Sequence, residues 1–118
     1  MTLEQVKELS DNELRIKVAE LCGWHDFEDE DINTLKYRLM GIHDNLGHKY
    51  LHDVPDYCND LNAMHEAEKL LDTELKQLEY QLNLNYLLGP LIWNLTRATA
   101  RQCAEAFVLT MWRRQDDF

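Results

Sequence analysis

Three histidines lie close together in the chain, at positions His43, His48 and His52, with Asp44 and Asp53 beside them. Imidazole nitrogens and carboxylate oxygens bind zinc, and two histidines four residues apart share one face of a helix. The surrounding residues favour a hairpin, in which the same spacing leaves the two rings further apart. We therefore expect no tightly bound zinc or calcium and no cofactor, and these histidines are where a metal would be sought.

A second zinc pattern is incomplete. His65-Glu66 begins the HExxH motif, which holds zinc between two histidines on one face of a helix. The position of the second histidine is occupied by Lys69, so the motif has only one imidazole. The pair is therefore interpreted as the polar edge of a helix.

The three cysteines, Cys22, Cys58 and Cys103, are widely spaced and form no CxxC pair. Their odd number and spacing favour reduced thiols in the cytoplasm. Cys103 lies on a predicted buried helix face, and the carboxylates of Asp56 and Asp60 beside Cys58 would raise its pKa. No catalytic set is recognised, and we expect that the protein is not an enzyme.

Residues 26–31, with the sequence DFEDED, hold five carboxylates in six positions. They lack the central glycine and the terminal bidentate Glu of an EF-hand, so calcium is not expected. Two interpretations stay open: a solvated loop that keeps the protein soluble, or a contact for a basic protein surface. The candidate partner-binding residues are Asp26, Glu28, Asp29, Glu30, Asp31 and Trp112, the last because an exposed Trp is typical of interfaces.

The composition excludes several classes of protein. The chain has 118 residues, of which 45% are apolar, and this suits one folded domain. Its net charge of -10 opposes binding to nucleic acid or anionic lipid, and no basic stripe is present. No apolar run is long enough for a membrane span, and the polar N-terminus is unlike a signal peptide. We expect a soluble cytoplasmic protein.

Capping residues predict the first helices. Residues 2–5 (TLEQ) and 10–13 (SDNE) have the capping-box form, in which a hydroxyl and a side chain three residues later satisfy free backbone N–H groups. A helix is predicted over residues 10–22, ended by Gly23, with a shorter turn of helix before it. Residues 24–57 lose helical periodicity and predict an irregular or hairpin region.

Helices return after residue 57. They are predicted over residues 60–71 and 73–88, with an N-cap at Asp60, and a C-terminal helix is predicted over residues 99–113. The predicted apolar face of the 73–88 helix consists of Leu75, Leu78, Leu82 and Tyr86. The predicted core-facing stripe of the last helix consists of Ala100, Cys103, Ala104, Phe107, Val108 and Met111.

The predicted fold is therefore α+β: a mostly helical single domain, residues 1–118, with amphipathic helices packed on a small antiparallel sheet or hairpin. The chain has only four valines and four isoleucines, so the sheet must be small.

Three blocks of sequence point to a family. Residues 54–70 read VPDYCNDLNAMHEAEKL, residues 22–24 read CGW and residues 99–107 read TARQCAEAF. In this order they resemble the phage ABA-sandwich domain family, small proteins of bacteriophages and prophages. The resemblance implies helices on a small sheet and no catalytic residues. The chain departs from the family where residues 26–42 show no clear strand and residues 73–88 predict a long helix.

These observations predict a phage or prophage accessory protein in the cytoplasm of an infected or lysogenic bacterium. It would act by stoichiometric binding of a host or phage protein. One form is an anti-CRISPR-like or nuclease-inhibiting protein whose acidic surface binds a nucleic-acid-binding protein. The alternative is a small structural or assembly protein of the virion, which would self-associate.

Overall fold

The structure, a computed structural model, describes residues 2–32, 36–46, 50–88 and 98–116, with the side chains at 29–32, 36–38 and 113–116 left aside. Within these ranges the fold is α+β, as predicted: helices packed on a small antiparallel sheet. In chain order the elements are α1 (Leu3–Glu8), α2 (Asp11–Leu21), β1 (Trp24–Ile32), β2 (Lys36–His43), β3 (His52–Asp53), α3 (Leu61–Glu68), α4 (Glu74–Leu88) and α5 (Ala100–Asp116).

Both N-terminal capping boxes are present. The Thr2 hydroxyl accepts from the Gln5 N–H and the Gln5 side chain accepts from the Thr2 N–H, and Ser10 and Glu13 repeat the arrangement at the start of α2. Gly23 follows α2 with φ of +97°, a left-handed conformation that favours glycine. Local chemistry therefore sets both ends of α2.

The sheet is larger than predicted, because residues 26–42, expected to contain no clear strand, supply most of β1 and β2. The two strands are antiparallel, and their register runs from Trp24 opposite His43 to Ile32 opposite Lys36. It also places Glu30 opposite Arg38. Opposite charges on facing strands are compatible with pairing. Carboxylate repulsion, read along one segment alone, was therefore a poor guide to its structure.

β1 contains a bulge between His25 and Glu28. Asp26 adopts a φ of +53°, which is unusual for a residue with a side chain. The ring of Phe27 lies over Gly41 of β2, where an added Cβ would come within 3.2 Å of Phe27 Cδ1. The bulge therefore packs an aromatic ring against a position that has no side chain of its own.

α5 is the central helix of the molecule and packs against α1, α2, α3 and α4. Its predicted stripe is confirmed, since Phe107 and Val108 are fully buried and Met111 is half-buried. The Thr99–Gln102 capping box is also present, with the Gln102 N–H donating to Thr99 Oγ1 at 3.1 Å. None of the described helices is both long and apolar enough to cross a membrane.

Two arginines tie distant segments to this helical core. Arg101 on α5 donates to the backbone carbonyls of Lys7 and Leu9 and to the carboxylate of Asp11. Arg15 on α2 donates to the carbonyls of residues 54 and 55 ahead of α3. Backbone carbonyls near the ends of secondary-structure elements thereby accept hydrogen bonds from charged guanidinium groups.

The apolar face predicted for α4 is present but does not face the core. Tyr80 and Leu84 are the buried residues of this helix, whereas the predicted stripe lies on the opposite side and is exposed. On α3, Met64 and Ala67 are buried and Leu61 is exposed, and Leu71 is buried beyond the end of the helix. For α4, sequence periodicity identified an apolar face but did not show which face the core covers.

Candidate functional site

The acidic segment lies on an edge of the sheet, since the strand order is β1-β2-β3. The side chains of Asp26 and Glu28 are exposed. Asp29, Glu30 and Asp31 belong to β1 by their backbone, and their side chains lie outside the described part of the chain. The expectation of a loop is therefore corrected: these carboxylates belong to a strand with a defined register.

His25 joins this segment to the turn after β2. Its Nδ1 lies 2.7 Å from Asp26 Oδ2, and its Nε2 lies 3.0 Å from Asp44 Oδ1. Hydrogen bonds that Asp44 and, to a smaller extent, Asp26 accept from the ring raise the pKa of His25, because both carboxylates favour its protonated form. His25 is therefore a hydrogen-bonding partner of both carboxylates that the sequence did not reveal.

Two of the three histidines considered as candidate metal ligands have structural roles. His43 Nε2 donates to the Cys22 carbonyl at 3.0 Å while its Nδ1 accepts from the Asn45 N–H at 3.2 Å. His52 Nε2 donates to the Leu46 carbonyl at 3.0 Å. His48 lies outside the described residues. Among the residues that the structure describes, no group of side chains is arranged to hold a metal ion.

The three thiols are poor candidates for nucleophiles. Burial raises the pKa of Cys22 to about 11 and that of Cys58 to about 12, and it raises the pKa of Cys103 as well. The charge of Asp56 raises the pKa of Cys58, as predicted, but burial and the charge of Asp11 raise it more. Near neutral pH all three are protonated, and a protonated thiol is a weak nucleophile.

Trp112 differs from its predicted role as an exposed contact. It is half-buried and packs against the core, and the ammonium of Lys17 on α2 lies 4.9 Å from the ring centroid. This arrangement is a cation–π contact between α2 and α5. Trp112 is therefore placed by interactions within the molecule.

The strongest surface feature is the exposed side of α4. Leu75, Leu78, Leu82 and Tyr86 are 54%, 55%, 59% and 75% exposed. Their spacing places them on one side of the helix over three turns. We call these four residues the α4 stripe. The sequence showed the stripe but not its exposure; the presence of a second apolar set, with Tyr80 and Leu84, was the signal that this helix has two apolar sides.

A groove of about 440 Å³ adjoins the buried side of α4. It lies between the end of α3 and the first turns of α4, and its lining residues are Glu68, Leu71, Gln77, Tyr80, Gln81 and Leu84. The Tyr80 hydroxyl donates to Glu68 Oε1 at 3.2 Å, and the Gln77 amide donates to the Leu71 carbonyl at 2.9 Å. This volume falls in the range of sites that bind a ligand or a partner side chain.

Several residues that carry the family resemblance meet in the core. Tyr57 packs in one hydrophobic cluster with Cys22 and Trp24, which joins the first sequence block to the second. The Cys58 thiol donates to the Asp11 carbonyl at 3.4 Å, and Cys103 of the third block lies in the same core cluster as Tyr80. The residues of the three sequence blocks therefore have a packing role in the core. Comparison of the chain with protein-family models, curated proteins and solved structures gives no match, so the resemblance stays a prediction.

Proposed function

We propose that this protein acts by stoichiometric binding of another protein. The observation that carries the proposal is the α4 stripe, four large apolar side chains exposed on one side of a regular helix. Exposed apolar patches of this kind mark interaction surfaces, because burying them in a complex removes apolar area from water. The raised thiol pKa values favour binding over covalent chemistry.

The partner class follows from charge. With a net charge of -10, the protein attracts basic surfaces over distances of about one Debye length, roughly 8 Å at physiological ionic strength. We therefore propose a phage or prophage accessory protein that binds a nucleic-acid-binding protein of the bacterial host, such as a defence nuclease. The acidic residues of β1 would accelerate association, and the α4 stripe would hold the complex.

A second candidate function is favoured by the same stripe. A small structural or assembly protein of the virion would bury an apolar helix face against further copies of itself. The oligomeric state separates the candidates, since self-assembly predicts a mass that rises with concentration. The binding role predicts an unchanged monomer until the partner is added.

The test of the proposed function is capture from a bacterial lysate with three forms of the tagged protein. Leu75→Ser with Leu82→Ser removes half of the α4 stripe, and Asn85→Ser alters an exposed polar position of the same helix. We expect the parent and Asn85→Ser to retain one defined protein that the stripe variant loses. A capture profile that is identical for all three forms would refute the role of the stripe.

The acidic segment is tested with the captured partner. Asp29→Asn, Glu30→Gln and Asp31→Asn together should slow association and reduce its salt dependence, because fewer charges steer the encounter. Association rates measured at low and high salt check this. Equal association rates and equal salt dependence for the parent and the neutralised variant would indicate that the acidic segment only keeps the protein soluble.

A further inference from the structure

β1 is the long outer strand of the sheet, since the strand order is β1-β2-β3. An outer strand pairs on one edge and leaves the backbone N–H and C=O groups of its other edge without a partner strand. Within the described ranges, β2 is the strand that pairs with β1, and no other backbone segment does so. The opposite edge of the sheet is β3, which has only two residues. β1 therefore has the edge that is long enough to pair with another strand.

The register of β2 shows which backbone groups of β1 face outward. The Val54 N–H donates to the Leu39 carbonyl at 3.1 Å, so the backbone groups of Leu39 face β3. In an antiparallel pair, both backbone groups of a residue point to the same neighbouring strand, and the groups of the next residue point the other way. The backbone groups of Met40 therefore face β1, where Met40 is opposite Glu28.

The same alternation applies to the rest of β1. Glu28 and Glu30 pair with β2 through their backbone groups, so Asp29 and Asp31, which alternate with them, point theirs away from β2. The bulge lies before Glu28, and the register from Glu28 to Ile32 is regular. The outer edge of this segment therefore offers the N–H and C=O groups of Asp29 and Asp31 at the spacing that an antiparallel strand requires.

The charge of this segment decides which strand can pair with it. Residues 28–31 read EDED, so every residue that flanks the outward backbone groups is acidic. Charged residues and bulges ordinarily keep an edge strand from pairing, because like charges on facing strands repel one another. Opposite charges on facing strands stabilise the pair. Since all four charges have one sign, they exclude an acidic strand and favour a basic one.

We infer that the outer edge of β1, from Glu28 to Ile32, binds a basic extended segment of the partner protein by strand addition. The inference rests on the proposed protein-binding function and names the recognised element and its chemistry. In strand addition the backbone hydrogen bonds provide affinity and the side chains provide specificity. The five residues from Glu28 to Ile32 span roughly 17 Å at about 3.3 Å per residue, so a segment of similar length in the partner covers them.

A second copy of the chain does not fit this edge. Two copies of β1 would place one EDED segment beside another, and like charges on facing strands destabilise the pair. The net charge of -10 on each copy adds long-range repulsion. The occupant is therefore a basic strand from a different protein.

The first test uses the free protein. Amide hydrogen exchange followed by NMR reports on each backbone N–H separately. We expect the N–H groups of Asp29 and Asp31 to exchange about tenfold faster than those of Glu28 and Glu30, which are hydrogen-bonded to β2. Equal rates for the two sets, or slow exchange at Asp29 and Asp31, would overturn the inference because the edge would then not be open.

The second test uses three fluorescent peptides of nine residues. The first alternates Lys with Val. The second has the same sequence with N-methyl groups on its five central peptide nitrogens, which keeps the charge and removes the backbone donors. The third has Glu in place of Lys. Fluorescence anisotropy gives the Kd of each peptide.

Three protein variants separate the backbone contribution from the charge. Asp31→Asn removes the charge and keeps the outward N–H. Asp31→Pro removes both, and proline is tolerated on the outer edge of a sheet. Glu74→Gln, at an exposed position of α4, removes one charge elsewhere and is the control. Circular dichroism checks each fold.

We expect the Lys peptide to bind the parent protein and to slow exchange of the Asp29 and Asp31 N–H groups. Asp31→Asn should weaken this binding about two- to fivefold, the effect of one cross-strand charge pair. Asp31→Pro should weaken it about fivefold more, the effect of one backbone hydrogen bond. Glu74→Gln should leave the Kd within about twofold of the parent value, because an exposed charge at a distance is screened.

Equal affinity of the N-methylated peptide would overturn the inference, since charge alone would then explain binding. Failure of the Lys peptide to bind, or equal binding of the Glu peptide, would overturn it as well. So would concentration-dependent dimerisation that Asp31→Pro abolishes, because a second copy would then be the occupant. If Asp31→Pro does not fold, the exchange rates and the N-methylated peptide decide.

These outcomes separate the inference from the proposed function. If capture from lysate depends on the α4 stripe while the Lys peptide does not bind, the protein-binding function stands and strand addition is wrong. If capture is independent of the stripe and is lost in Asp31→Pro while the Lys peptide binds, strand addition stands and the proposed role of the stripe is wrong.

Discussion

α4 and α5 both carry apolar residues at helical spacing, yet the stripe of α5 is buried and the stripe of α4 is exposed. The stripe of α5, with Phe107 at its centre, is buried among the other four helices. The stripe of α4, with Leu82 at its centre, is exposed, and α4 packs on α5 through Tyr80 and Leu84 instead. An apolar stripe therefore predicts a helix that needs a partner, and the partner can be the core or another molecule.

The largest expected effect belongs to the centre of the α5 stripe. Phe107 is fully buried, so Phe107→Ala should lower the free energy of unfolding by about 3–5 kcal/mol, through lost burial and the cavity left behind. Urea denaturation followed by circular dichroism measures it. An unchanged midpoint would place Phe107 outside the core.

A matched pair on α4 tests the comparison directly. Leu84 is buried and Leu82 is exposed on the same helix, so Leu84→Ala should cost about 2–5 kcal/mol. Leu82→Ala should stay within about 0.5 kcal/mol, the usual range for a surface substitution. Urea denaturation of both variants decides. A larger cost for Leu82→Ala would mean that the helix packs with its other side inward.

A polar contact between the two helices predicts a smaller effect. Thr110 is fully buried, and its hydroxyl donates to the Ala106 carbonyl at 2.9 Å and accepts from the Asn83 amide at 3.0 Å. Thr110→Val leaves the part-buried amide without this acceptor and should cost about 1–3 kcal/mol. Thr110→Ser keeps the hydroxyl and serves as the control. Equal midpoints for the Val and Ser variants in thermal denaturation would exclude a role for the hydrogen bond.

The smallest effect is expected at the bulge of β1, and it depends on pH. Because the pKa of His25 is raised in the folded state, its stabilising contribution is complete below the unfolded pKa and is lost as pH rises through the folded pKa. His25→Gln should therefore lower the Tm more at about pH 5.5 than at about pH 9, on either side of the ordinary value near 6.5. Asp44→Asn should reproduce the trend. A Tm difference that is the same at both pH values would contradict it.

How far the fold was predictable depends on whether the deciding interaction is local. The Thr2, Ser10 and Thr99 capping boxes are satisfied within three residues, so the sequence alone was enough to predict them. β1 was not predictable in the same way, because it pairs with a strand whose register the sequence does not reveal. Arg101 reaches carbonyls more than 90 positions away, and nothing in its neighbourhood indicates that.

The same distinction between local and long-range interactions applies to the candidate site. The carboxylates at Asp26 and Glu28 could be identified by type, but their partner His25 and the bulge that holds them could not. The residues of the α4 stripe were identified as an apolar face, but their exposure was not, because apolar residues recur with the same helical period whether or not the core covers them. Which side meets water depends on where α5 lies, and only the tertiary structure shows that.

The central place of α5 has a consequence for biosynthesis. The ribosome makes α1 to α4 first, and each of them lacks its main packing surface until the residues of α5 leave the exit tunnel. Contacts such as that of Arg101 with Leu9 close a loop of about 90 residues, a step that slows folding. The nascent chain therefore displays apolar surface until α5 has emerged. Binding by a chaperone would protect it from proteases during that interval.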